Sequence, residues 1–169
     1  MQCNLNPNQK GNPMDWEKVK EFFFTAMMQG WAVAGSKKIK IPDMPGYKAI
    51  AFREGDFYLL DRYCVTPNSL KSAGTTTIWF RNDPIWVMNY EGFYEERAII
   101  PLKEALFFSY RTGQFVGGRG PKIYVDGNMI YVNQSRHNEF QEFDGIEEIF
   151  DGSKEESLGN HKYSGMSLI

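Results

Sequence analysis

The chain of 169 residues is predicted to fold as a single α+β domain: a curved antiparallel β-sheet of about seven to nine strands, with an N-terminal helix and one mid-chain helix. Three observations lead to this class. Short runs rich in β-branched and aromatic residues recur between clusters of turn formers, which is the signature of strands. Two longer stretches carry apolar residues at helical spacing. Strands follow strands, without the strand–helix alternation that builds a parallel sheet.

Residues 1–11 are rich in Asn, Gln, Pro and Gly and are expected to form a disordered leader, leaving residues 12–169 as the domain. Asn12-Pro13-Met14-Asp15 reads as a helix start: Asn caps, Pro is tolerated in the first turn, and Asp15 complements the helix dipole. Trp16, Val19, Phe23 and Met27 recur at helical spacing, widened by Phe22, Phe24 and Ala26, with Gly30 the expected stop after Gln29. Such a stripe belongs against one face of a sheet. Residues 31–46 read as a connection punctuated by Gly, Lys and Pro, with a short strand at Lys38–Ile41.

Strand signals follow at Tyr47–Phe52, Phe57–Val65, Thr75–Phe80 and Ile85–Tyr90. Arg53-Glu54-Gly55-Asp56 makes a tight turn, Pro67 to Gly74 a looser loop, and Asn82-Asp83-Pro84 the bend of a hairpin. Ile99–Tyr110 is the second helix, with Pro101 in its first turn, Leu102, Ala105, Leu106 and Ser109 on one face, and Gly113 as its end. After a loop at Gly117-Gly118-Arg119-Gly120-Pro121, Ile123–Val132 forms a hairpin turning at Asp126-Gly127. Phe140–Phe143, Ile146–Phe150 and Lys162–Leu168 are further strands, with a turn at Asp151-Gly152-Ser153.

Composition narrows the function classes. Hydrophobic residues make up 42% and aromatic residues 15%, enough for one core without a metal or disulfide staple. A net charge of −2 offers no general attraction for nucleic acid or an anionic membrane, so direct binding to either is not expected. Cys3 and Cys64 read as free thiols. The polar start lacks a signal-peptide core and no run approaches the ~18 apolar residues of a spanning helix, which together suggest a cytoplasmic protein. No Cys/His spacing resembles a zinc site, and no cofactor is implied.

Several residues stand out against plainer readings. Phe57–Cys64 alternates in period two, so Phe57, Leu59, Asp61 and Tyr63 share one face and Tyr58, Leu60, Arg62 and Cys64 the other. Asp61 is then a carboxylate among aromatics: either a structural polar contact, or a ligand or acid/base group. In the next hairpin Trp86, Met88 and Tyr90 share a face, read as core before groove, while Asn89 lies opposite, as a bracing amide or a ligand contact. The Gly117–Gly120 loop follows a helix and lacks the Gly-Lys-Ser/Thr ending of a phosphate loop. Its Arg119 is either part of an exposed flexible loop or a clamp for a carboxylate or phosphate. His137 and His161 both fall in polar segments. Glu139, Glu142, Asp144, Glu147, Glu148, Asp151, Glu155 and Glu156 read as a solvated acidic face rather than a hard-cation site.

Taken in order, these motifs resemble an uncharacterised bacterial domain family. The resemblance rests on Gly55-Asp56-Phe57, Leu59-x-Asp61-x-Tyr63 and, most specifically, Pro84-x-Trp86-x-Met88-Asn89-Tyr90-x-Gly92. It continues through the Arg-Gly loop, Tyr131-Val132-Asn133, and Phe143-x-Gly145-x-Glu147 with Glu148 and Ile149 following, and so runs from about residue 15 to the C-terminus. Two places depart from the pattern: Gly74-Thr75-Thr76 where the family tends to Gly-Gln-Glu, and Tyr163-Ser164-Gly165-Met166 where Tyr-His-Gly-Gly is expected. Some members carry an N-terminal helix-turn-helix; this chain, with its short leader, resembles the stand-alone form. The resemblance implies one domain and brings no activity with it.

The preferred functional reading is a ligand-binding or interaction module. Its groove would be lined by Tyr63, Trp79, Trp86 and Tyr90, with Asp61, Asn89 and Arg119 as polar contacts to a small molecule or a protein partner. One alternative is a small cofactor-free hydrolase or lyase using Asp61 with Tyr63 or Arg119. Another, by analogy alone, is an accessory regulatory partner of a DNA-binding protein.

Overall fold

In a computed structural model the described residues are 13–32 and 38–169; the expected leader, Cys3 and Asn12 lie outside them. Helix α1 (Trp16–Met27) is capped by Asp15, whose side chain accepts the backbone N–H of Lys18 at 3.3 Å. The helix therefore starts three residues later than the expected Pro13, because the Asp15 carboxylate caps an orphan N–H of the first turn. Gly30 does not end the helix. The chain widens into a π-helical turn (Met28–Ala32) that includes Gly30 and delivers Trp31 toward the sheet.

Among the described residues, nine strands form one antiparallel sheet: β1 (Ile39–Lys40), β2 (Tyr47–Glu54), β3 (Phe57–Val65), β4 (Lys71–Phe80), β5 (Asp83–Tyr94), β6 (Ile123–Asp126), β7 (Met129–Glu139), β8 (Glu142–Asp151) and β9 (Glu156–Ser167). Their order across the sheet is β1-β2-β3-β4-β5-β9-β8-β7-β6. Two meanders thus meet at the central β5–β9 pair, and helix α2 (Ile99–Thr112) joins them, ending at Gly113 in the left-handed conformation. This is the expected α+β class. Neither described helix is long and apolar enough to cross a membrane.

The strands differ from expectation at their ends. The region read as a loop before Gly74 is already strand from Lys71, because pairing with β5 extends to Phe93. The hairpin bends at Arg81 and Asn82, with φ of 51° and 76°, not at Asn82-Asp83-Pro84. Two consecutive positive φ values match the twist of flanking strands, and Pro84 is absorbed at a bulge where Trp79 pairs with Pro84 and Ile78 with Trp86. Ile85 is the extra residue, which accounts for Ile85 and Trp86 both being buried. The two short strands read at Phe140–Phe143 and Ile146–Phe150 are one strand, β8, with Phe140 in the turn before it. The last strand begins at Glu156, well before Lys162, and so includes His161.

One sheet face carries both helices and the core. Leu59, Ile78, Trp86, Met88, Tyr131, Phe143 and Ile149 point into it from five strands. Phe23 of α1 meets Trp86 at 5.3 Å and Tyr110 of α2 at 6.1 Å between ring centroids. Trp86 stacks between Phe140 at 5.2 Å and Phe143 at 5.4 Å, and its indole N–H donates to the Phe140 carbonyl at 2.7 Å. Removing this ring leaves a cavity and an unsatisfied carbonyl. Trp86→Ala is expected to destabilise the fold by roughly 3–5 kcal/mol, read from the midpoint of urea denaturation at constant slope.

Candidate functional site

Two fully buried carboxylates, those of Asp61 and Glu147, organise the helix-bearing face. Asp61 on β3 is fully buried. It accepts hydrogen bonds from the Trp31 indole at 2.6 Å, the Thr76 hydroxyl at 3.0 Å and the Tyr90 hydroxyl at 2.9 Å. Thr76 is its cross-strand neighbour, while Tyr90 reaches it from β5 across β4. That reach needs Gly74, because a Cβ there would collide with the Tyr90 ring. Burial holds the Asp61 carboxyl above its ordinary pKa, against the opposing pull of Tyr90, Trp31 and Thr76.

Glu147 on β8 is also fully buried, which corrects its reading as part of a solvated acidic face. Its Oε1 accepts from Arg119 Nε at 2.8 Å and from Tyr94 at 2.8 Å, Arg119 Nη2 contacts the same oxygen, and its Oε2 accepts from Tyr131 at 2.5 Å. Burial works to raise the Glu147 pKa, but Arg119 wins and holds it below the ordinary value. Burial likewise opposes the Arg119 charge and Glu147 outweighs it, so the pair is ionised.

Arg119 sits in a loop that is buried from Val116 to Pro121, where an exposed flexible loop was the plain expectation. Gly117 and Gly118 take left-handed φ values of 59° and 68°, which turn the chain inward. The loop's backbone groups are then satisfied by side chains, as burial requires. The Asn133 amide donates to the carbonyls of Val116 at 3.0 Å and Gly120 at 2.8 Å, and Asn138 accepts from the Gly117 N–H at 2.8 Å. The Gly120 N–H donates to the Tyr131 hydroxyl at 2.9 Å, a contact that a Cβ at Gly120 would obstruct.

Above this floor, between the sheet and α2, lies a cavity of about 260 Å³. Tyr63, Tyr90, Tyr94, His161, Arg119 and Ser72 line it from the sheet and the glycine loop, with Trp31 and Lys38 beside them. Leu102, Leu106, Ile99 and Lys103 line it from α2. His161, read from sequence as lying in a polar segment, is only 5% exposed. It stacks on Tyr90 at 5.7 Å and meets Tyr94 at 4.6 Å. Its Nε2 is 3.2 Å from the Ser72 hydroxyl, while Nδ1 is buried with no hydrogen-bond partner among the described residues. Burial first, then Arg119, lowers its pKa to about 4, so the imidazole is neutral at pH 7.

Of the residues singled out from sequence, Tyr63, Tyr90 and Arg119 meet in this cavity, and Asp61 lies beneath it behind Tyr90. Trp86 is on the same face but fully enclosed in the aromatic core. Trp79 and Asn89 point to the other face, where Trp79 packs on Tyr58 at 5.3 Å and Asn89 accepts from Thr75 at 2.9 Å. Sequence reading missed Glu147, His161 and Tyr94. A signal for Glu147 existed: it shares strand parity with Phe143 and Ile149, both core residues.

Fold and site together define an α+β domain with a small cavity over a buried ionic floor. The chain belongs to the family described as a domain of unknown function, DUF5680, whose model matches residues 68–168, more than half of it. The match takes in β5, α2, the Arg119 loop and Glu147, whereas Trp31, Asp61 and Tyr63 precede it. No curated protein and no solved structure gives a significant match.

Two outcomes test this electrostatic description. Glu147→Gln strands the Arg119 charge, and is expected to cost roughly 3–5 kcal/mol of unfolding free energy, whereas Glu147→Leu with Arg119→Met costs much less. His161 titrates at about 4 in the fold against 6.5 when free. The unfolded chain therefore binds the extra proton, and stability falls as pH drops from 6.5 toward 4, by roughly 3 kcal/mol at most. Asp61, with its raised pKa, works in the opposite sense, so the His161 share is read by subtraction. Urea denaturation at pH 7 and pH 4.5 should show a smaller loss in His161→Phe than in the parent.

Proposed function

We propose that the chain is a binding module for a small molecule with an apolar body, held in the cavity between the sheet and α2. The observation that carries this reading is the make-up of the cavity. Aromatic rings of Trp31, Tyr63, Tyr90 and Tyr94 lie on one side and Leu102 and Leu106 of α2 on the other, with a few polar groups converging between them. Such a concave, mostly apolar site with sparse oriented polar groups suits a small ligand. The floor is braced by hydrogen bonds, so ordering it adds little to the free-energy cost of binding.

Binding is favoured over acid–base chemistry by the position of Asp61. Its oxygens are occupied by three donors, and the Tyr90 ring stands between it and the cavity. A general base needs to reach a substrate proton within hydrogen-bond distance.

The test is a thermal-shift screen with small aromatic and medium-chain aliphatic alcohols and acids, repeated on Leu102→Trp. A ligand present at 100 times its Kd should raise Tm by roughly 5–10 °C, and filling the cavity with indole should abolish the shift. A panel that leaves Tm unchanged, or a shift that survives Leu102→Trp, would sink the proposal.

A further inference from the structure

The cavity's charge is one-sided. Three cationic side chains line it, Lys38, Lys103 and Arg119, and no Asp or Glu does. The Arg119 charge is balanced from behind by Glu147, and both its Nε and Nη2 are committed there, so the floor offers no free guanidinium fork. Lys38 and Lys103 are different. Neither has a carboxylate within salt-bridge distance among the described residues, and residues 1–12 and 33–37 contain no Asp or Glu at all. The Lys38 ammonium is held 5.5 Å from the Trp31 ring centroid and 5.7 Å from that of Tyr63, both of which line the cavity. An ammonium over ring faces is positioned without being neutralised.

His161 gives a second, independent indication. Its Nδ1 is buried with no partner among the described residues, and in the tautomer in which the Ser72 hydroxyl donates to Nε2 that nitrogen is an N–H without an acceptor. Buried polar atoms in folded proteins are nearly always paired, so an unpaired one on a side chain that lines the cavity leaves room for a partner supplied by a ligand.

Resting on the binding reading above, we infer that the ligand is a small apolar monocarboxylate: the carboxylate lies with Lys38 and Lys103, within reach of His161, and the apolar body lies between the tyrosines and the leucines of α2. A carboxylate on an apolar body fits better than free phosphate, because aromatic and aliphatic side chains make up most of the lining and phosphate has nothing to place against them. The lysine contribution is a charge effect close to solvent, so added salt weakens it.

The experiment uses the full chain and two matched probe pairs, 2-naphthoate with 2-naphthalenemethanol and decanoate with decanol, titrated calorimetrically at pH 7 in low and high salt. In each pair that binds, the acid is expected to bind about tenfold more tightly than its alcohol at low salt. In Lys38→Gln/Lys103→Gln the acid falls to about the affinity of its alcohol; both lysines are exposed, and an unchanged Tm without ligand confirms that the variant folds. Alcohols that bind as well as acids, with binding lost in Leu102→Trp, would overturn the carboxylate inference and leave the binding reading standing. An acid preference that persists in the double lysine variant also overturns the inference. If no probe binds, both fall.

Discussion

A carboxylate taken wholly out of water, that of Glu147, is the constraint on which the rest of the structure depends. An isolated buried charge costs several kcal/mol, so it must be met by donors, and these come from three separate places: Tyr94 on β5, Tyr131 on β7 and Arg119 in the loop after α2. Arg119 can be there only if its loop is buried, and the loop can be buried only because Asn133, Asn138 and Tyr110 satisfy its backbone. The second meander, the end of α2 and the glycine loop are thereby locked to the centre of the sheet. Networks of this kind rigidify when complete and are costly when broken.

Asp61 does for the first meander what Glu147 does for the second. Trp31 from the π-helical turn, Thr76 from β4 and Tyr90 from β5 converge on it. The two networks adjoin, for Arg119 lies 5.4 Å from the Tyr90 ring centroid. Tyr90 and Tyr94, which serve the carboxylates with their hydroxyls, present their rings to the cavity, as does the His161 ring beside them. A polar foundation thus holds an aromatic surface in place, and α2 covers that surface with leucines. This division of labour makes a small cavity both rigid and apolar, the combination that ligand binding favours.

Much of the fold was legible in the sequence, and the failures have physical causes. Phe57–Val65 was read with its observed bounds because period-two alternation and flanking turn residues agree there. The bend at Arg81-Asn82 was placed too late because Asp83 and Pro84 are turn formers, yet sheet twist and a bulge chose the earlier pair. The candidate site was legible only in part. Tyr63, Tyr90 and Arg119 stood out as aromatic or cationic residues in the right kind of context. Glu147 and His161 did not, because local composition around each is acidic or polar, and a strand with Asp144, Glu147, Glu148 and Asp151 reads as solvated until its partners are known.

What the sequence by itself determined is the α+β class, the existence of the N-terminal and mid-chain α-helices, and which side chains share a strand face; these follow from periodicity and backbone preference, which act over a few residues. What only the tertiary structure decided is which charges are buried and what they face. Glu147 is partnered from 28 residues before it by Arg119 and from 53 by Tyr94, and Asp61 from 30 before it by Trp31 and 29 after it by Tyr90. A charge is tolerated inside a protein only when such distant donors arrive together, and their arrival is a property of the packed chain, not of any segment within it.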